Sequence, residues 1–391
     1  MPAVSGIEAE GDEAAKVDFQ NYFVSYGASA ATRSPRTARA EPSRPSRLSG
    51  YLYHQKDMLQ DRGRMDAYRN SILRNAMCFK DKVVLDVGTG SGVLAMWAAM
   101  AGAKRVYAVE ATSMAQHARR LVQQNGLSSV VTVLEGYMEK QTLPEKVDVI
   151  LSEWMGYFLL RESMVDSVIA ARDLWLKPGG AMYPSHAVLR MAPLCSNLYA
   201  NRLAELESEM GSWSHFGEWM SQGNGVNVAG LTEFFVREQQ EYLLQASAYV
   251  QLNNDEVLGP TFDILEMNLS SCSVADIATI DCPFRTAIEV EGQFNAFGGW
   301  FDTDFNGSAD EPTPNPVTLT TRPESTTHWA QQVFLVHPAP QVQAGDVIEG
   351  VVKLARQKVN HRLLWLQMVF THLRPGVGQI GEERTMNWRI D

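Results

Sequence analysis

The chain has 391 residues, long enough for two or three domains, and 45% of them are hydrophobic, an ordinary share for a protein with a full core. Its net charge of −11 argues against a general nucleic-acid binder and favours cationic partners. Four scattered cysteines (Cys78, Cys195, Cys272, Cys282) lack C-x-x-C spacing, and neither a signal peptide nor a run of 18 apolar residues is present. A disulfide framework, a metal site and a membrane-spanning segment are thus not expected, and a reducing cytoplasmic or nuclear compartment is.

Residues 1–18 are small and acidic, and residues 19–26 carry the aromatic run Tyr22-Phe23-Val24-Ser25-Tyr26. The stretch 28–49 is rich in Ala, Ser, Pro and Arg. It sets Arg33, Arg36, Arg39, Arg44 and Arg47 against Glu41 alone and has almost no large apolar side chain. Residues 1–50 are therefore expected to be mostly disordered, with an aromatic helix near 19–26. From Tyr51 onward, apolar residues at 58, 59, 65, 68, 72 and 73 approximate one helical face.

Val83-Val84-Leu85-Asp86-Val87 is a short apolar run bounded by glycine, which reads as a buried parallel strand. Gly88, Gly90 and Gly92 follow, supplying a tight turn and close backbone approach to a ligand. A small apolar helix then runs to Met100, and Glu110 ends the next strand, where an acid can accept from both ribose hydroxyls. The spacing is G-x-G-x-G, with Val93 where a dinucleotide fingerprint has its third glycine. Asp86 would oppose a pyrophosphate but suits an ammonium group, which favours S-adenosylmethionine over NAD.

A helix is expected over 115–125, a strand over 130–134, the turn Gly136-Tyr137-Met138-Glu139, and a buried strand over 147–151. Glu153 stands just past that strand, and Glu162 follows nine residues later, after a largely apolar loop. Two carboxylates returned to one place make a clamp for a cation, best a planar guanidinium with paired N–H donors. A helix over 167–176 ends at the breaker Lys177-Pro178-Gly179-Gly180, and beyond Tyr183-Pro184 strands dominate, at 188–192, 333–336, 347–354 and 363–371. Between them, a helical stretch over about 196–226 carries apolar residues such as Tyr199, Trp213, Phe216 and Trp219, enough to mark an interface.

The stretch Ser152-Glu153-Trp154-Met155-Gly156-Tyr157 with Glu162-Ser163-Met164 resembles the double-glutamate loop of the protein arginine N-methyltransferases. Tyr22-Phe23-x-x-Tyr26 and Thr327-His328-Trp329 are similar to two further elements of that family, in a type I-like and plant-type character. The resemblance covers about 19–373 except 28–49, which departs from the family as an insertion. It implies a Rossmann-like S-adenosylmethionine-binding domain over 51–183. It also implies an antiparallel β-barrel over 184–391, a cis bond at Pro184, and a homodimerisation arm at about 196–226.

The resemblance also assigns roles. Tyr22, Phe23 and Tyr26 would fold over the cofactor, with Asp86, Gly88, Gly90 and Glu110 beneath it. His54 and Arg64 would hold its carboxylate, and Met138 and Glu139 would contact adenine. Glu153 and Glu162 would hold the target guanidinium, with Met58, Met164 and Tyr157 around it and Trp329 walling the groove. His328 would lie nearby, bonded to Asp61. Met58 and Met164 match the members that make asymmetric dimethylarginine from arginine-rich proteins. Two other readings stay open on the sequence: a small-molecule methyltransferase, and an inactive scaffold binding partners through its arm and arginine-rich insert.

Overall fold

A computed structural model describes residues 52–391, apart from the His54 side chain. Helices α1 (Leu52–Gln60) and α2 (Arg62–Leu73) lead in. Asp61 separates them and caps α2, its carboxylate accepting the Arg64 amide at 3.0 Å, a bond that satisfies one of the orphan donors of the first turn.

The next elements alternate: β1 (Val83–Val87), α3 (Val93–Met100), β2 (Arg105–Glu110), α4 (Met114–Gln124), β3 (Val131–Glu135), β4 (Val147–Ser152), α5 (Val165–Trp175) and β5 (Leu176–Tyr183). Their strands form a parallel sheet ordered β3-β2-β1-β4-β5. Every residue of β1 is buried, Asp86 among its valines and leucine included, as the centre of a parallel sheet requires. The Lys177-Pro178-Gly179-Gly180 breaker does end α5, yet it lies inside β5 rather than in a loop. Val147 pairs with Leu176 and Val149 with Ala181, so the breaker is absorbed as a bulge where the ladder skips.

Antiparallel structure starts after the cis Tyr183–Pro184 bond with β6 (His186–Leu194). Helices α6 (Asn197–Asn224) and α7 (Thr232–Leu244) then leave the sheet. The excursion is thus longer than the expected 196–226. The Trp213 ring of α6 stacks on Phe235 of α7 at 4.3 Å, and its Nε1–H donates to Thr232 at 2.9 Å. Phe216, Trp219, Phe234 and Tyr242 stay exposed on this pair.

The chain continues through β7 (Ala248–Val250), β8 (Phe262–Asn268), α8 (Val274–Ala278), β9 (Thr279–Ala287), β10 (Gly292–Gln293), β11 (Ala296–Gly307), β12 (Pro312–Thr320), β13 (Gln331–Leu335), β14 (Gln341–Val342), β15 (Val347–Arg356), β16 (Leu364–Arg374), β17 (Gly378–Gln379) and β18 (Arg384–Ile390). One antiparallel sheet runs β7-β13-β11-β6-β8 with β12 beside β11; another runs β17-β16-β15-β9 with β18 beside β16. Phe262, Phe284, Phe297 and Phe370, from β8, β9, β11 and β16, interlock between the two sheets at centroid distances of 4.4–6.4 Å. This barrel-like half meets the parallel half along α2. There the Asn75 side chain and the Asn315 backbone exchange two hydrogen bonds of 2.9 Å.

Candidate active site

The glycine turn sits at the carboxyl end of β1, where open α/β sheets bind ligands. Gly88, Gly90 and Gly92 all have positive φ. Glu110, at the end of β2, accepts the Gly90 amide at 2.8 Å and the Thr112 amide at 2.9 Å. Each of its oxygens keeps a lone pair for a ribose hydroxyl. Asp86 is fully buried beneath the turn rather than lining it. Its Oδ2 accepts the Thr89 hydroxyl at 2.5 Å and the Ala95 amide at 3.1 Å, and burial pushes its carboxyl up to about 7. Its Oδ1 is buried with no donor among the described residues. Met138 is buried in the turn after β3, and Glu139 bonds the Ser167 hydroxyl of α5 at 2.5 Å.

The glutamate loop leaves β4 at Ser152 and closes on itself. The Gly156 amide donates to Leu159 O at 3.0 Å, and the Arg161 amide to Tyr157 O at 3.2 Å. Phe158, Leu159, Glu162 and Ser163 all take left-handed backbone conformations. Such conformations each cost an ordinary residue roughly 1 kcal/mol or more, so the surroundings must hold them. A Cβ at Gly156 would stand 1.7 Å from the Arg161 carbonyl oxygen, so only glycine lets the loop fold back here.

Both glutamates are nearly buried, and both face cations. Glu153 Oε2 accepts Arg64 Nη2 at 2.7 Å and Nε at 3.0 Å, while Arg64 Nη1 donates to Met58 O at 2.9 Å. Nη1 also donates to Met65 Sδ at 3.6 Å, so one of the five guanidinium N–H groups, the second on Nη2, is left over. Glu162 lies 3.5 Å from Arg161 Nη1 and 3.6 Å from Arg362 Nη2. Tyr157, beside Glu162, has its hydroxyl pKa raised by burial and by that negative charge. Met164 Cε rests against Gly88, so the glutamate loop touches the glycine turn directly.

His328 reaches this site from the far half of the chain. Its backbone N–H and Nδ1 lie 2.8 and 2.7 Å from Asp61 Oδ2. Burial would raise the Asp61 carboxyl, but these bonds and the Arg64 amide outweigh it and hold the carboxyl below its usual value. Trp329 departs from expectation: it is 3% exposed, not a groove wall. Its indole Nε1–H donates to Met155 O at 2.9 Å and its ring meets Phe301 edge-on, so it braces the glutamate loop from below. Tyr22, Phe23, Tyr26, the insert 28–49 and the His54 side chain lie outside the described residues.

Two site residues escaped the sequence reading. Tyr249 of β7 meets the Tyr157 ring edge-on at 5.0 Å and donates its hydroxyl to His328 O; burial raises its pKa to about 12. Arg362 arrives from a turn two hundred positions beyond Glu162. Neither sits in a patterned motif, so no spacing signal could have found it.

Residues 196–373 match the family model described as the arginine methyltransferase oligomerization subdomain. Residues 72–185 match that of ribosomal protein L11 methyltransferase. The chain is 45% identical over 360 residues to protein arginine N-methyltransferase PRMT10 of Oryza sativa subsp. japonica, covering 91% of this chain and 88% of that one. It is 47% identical over 321 residues to PRMT10 of Arabidopsis thaliana, covering 81% and 84%. The crystal structure of Arabidopsis thaliana protein arginine methyltransferase 10 superposes with a TM-score of 0.85 at 44% identity, covering 88% of this chain and 99% of that one. The Trypanosoma brucei PRMT1 enzyme-prozyme heterotetrameric complex with AdoHcy superposes with a TM-score of 0.73 at 29% identity, covering 87% and 99%.

Proposed function

The chain belongs to the protein arginine N-methyltransferase family, and from that premise we propose how its site works: Glu153 and Glu162 hold a substrate arginine for methylation by S-adenosylmethionine. One observation carries this reading. Glu153 already accepts two N–H groups of a guanidinium, from Arg64, on a single oxygen, and its Oε1 remains open to a second guanidinium from the substrate.

Arginine keeps its proton because its pKa exceeds about 12, so its nitrogens are poor nucleophiles. A carboxylate at each side draws the positive charge toward the bound nitrogens and leaves electron density on the one facing the methyl group. Bound S-adenosylmethionine supplies that methyl on an electrophilic sulfonium. The protein's part is placement, which accounts for much of the acceleration in such a displacement. Glu153 is the group placed to accept the guanidinium proton, and His328, held by Asp61, stands beside the site to relay it.

Arg64 serves both ligands, turning one edge to Glu153 and keeping its second Nη2–H for the methionine carboxylate. Met58 and Met164 leave room for a monomethylated substrate, which favours asymmetric dimethylarginine. The exposed aromatic side chains of α6 and α7 support a homodimer formed through this arm. The net charge of −11 suits arginine-rich protein substrates.

The test is product analysis with labelled S-adenosylmethionine and an arginine-glycine-rich peptide. Asymmetric dimethylarginine is expected. Monomethyl product alone would remove the two-methionine argument. No methylarginine, with cofactor bound, would remove the substrate class. Glu153→Gln should abolish turnover and leave cofactor affinity within a few-fold.

A further inference from the structure

The turn between β15 and β16, residues 357–363, does not only connect two barrel strands. The Glu162 amide donates to Arg362 O at 2.8 Å, and the Ser163 hydroxyl donates to His361 O at 2.6 Å. Arg362 returns its own Nε–H to the Glu162 carbonyl at 3.3 Å and sets Nη2 3.6 Å from the Glu162 carboxylate. At the base of the same hairpin, Arg356 makes two bonds of 2.6 Å to Asp166 in the first turn of α5, and both side chains are nearly buried. Two arginines thus bracket the hairpin and fasten it to either side of the segment 162–166.

That segment needs fastening. Glu162 and Ser163 have φ of 86° and 55°, a region ordinary residues rarely occupy, and such backbone persists only where the surroundings over-determine it. Every contact named above falls on these two residues or just beyond them. We infer that the β15–β16 hairpin is a positioning element for the substrate clamp, with Arg362 holding Glu162 in register for the incoming guanidinium. Arg362 meets Glu162 at both its carbonyl and its carboxylate, a reach that the planar guanidinium has and an ammonium lacks.

The inference rests on the methyl-transfer reading above, so wild-type product formation is the first control; its absence would strike that reading and not this one. Three variants of the full chain then test it: Arg362→Met, Arg362→Lys and Glu162→Gln, with the Arg362→Met/Glu162→Gln double. Peptide affinity is measured with S-adenosylhomocysteine bound, beside turnover and S-adenosylhomocysteine affinity. Arg362→Met is expected to weaken peptide binding or turnover at least tenfold, with cofactor affinity within twofold of wild type. Arg362→Lys keeps the charge but not the fork. It is expected to fall in between, at least threefold down, and it carries the test if the methionine variant fails to fold. In the double variant, peptide affinity should be no lower than in Glu162→Gln alone. Wild-type turnover in folded Arg362→Lys, or a double variant whose loss is the product of the two single losses, would overturn the inference.

Discussion

Gly156→Ala is the sharpest probe of the glutamate loop. The added carbon would stand 1.7 Å from the Arg161 carbonyl oxygen, where real contacts stay beyond 3.0 Å, so Arg161 must retreat by more than an ångström. Arg161 directly precedes Glu162, and the Gly156 amide anchors the hairpin through Leu159 O. The shift therefore alters the distance between the carboxylates of Glu153 and Glu162. Strain of this kind costs about 1–3 kcal/mol of stability, which a domain with this much core survives. The rate should suffer more, since a misplacement of about 1 Å costs on the order of 100-fold, or roughly 2.7 kcal/mol of barrier. The assay compares methyl transfer to an arginine-glycine-rich peptide with S-adenosylhomocysteine affinity and Tm, using Gly230→Ala as a control because nothing lies within 4 Å of its added carbon. Turnover within threefold of wild type, in a protein that still binds cofactor, would refute the claim that the loop's closure sets the clamp.

Three further outcomes are expected. Trp329→Phe removes the donor to Met155 O and should lower stability by about 1–3 kcal/mol by chemical denaturation, as an orphaned buried carbonyl does. Asp61 is held below its usual value, so its stabilisation is complete above about 3.8 and is lost as pH falls through the depressed value. Below about pH 4, wild type should therefore lose Tm faster than Asp61→Asn. Asp86 has the opposite sign: burial raises it to about 7, so the folded state keeps a proton that the unfolded chain releases between about 3.8 and 7. Cofactor-free wild type should lose up to about 1.4 kcal/mol per pH unit relative to Asp86→Asn across that window, then level off.

What the sequence makes legible here is what local chemistry decides. The Val83–Val87 and Val147–Leu151 runs are apolar but for one aspartate each, Asp86 and Asp148, which is enough to mark central parallel strands. The two glutamates could be paired because one hairpin separates them. Asp86 was misplaced because composition shows an acid beside a turn but not which way the pleat points it. Trp329 was read as exposed to substrate because a motif carries no burial, and the Phe301 ring and Met155 carbonyl that enclose it come from distant strands and loops. Helix α7 was missed because the partner that fixes it, Trp213, lies across a turn on α6. The Pro-Gly-Gly of β5 signals a break, and only pairing with β4 could show that the strand resumes.

The hydrogen bond between His328 and Asp61 spans 267 positions, and the grip of Arg362 on Glu162 spans 200. During synthesis the parallel sheet can close long before either partner exists. For a translating ribosome adding roughly 5–20 residues each second, the 179 positions from Tyr183 to Arg362 take about 9–36 seconds to appear. The residues that fasten the glutamate loop thus arrive last, and the site around Glu162 is assembled only when nearly the whole chain is out.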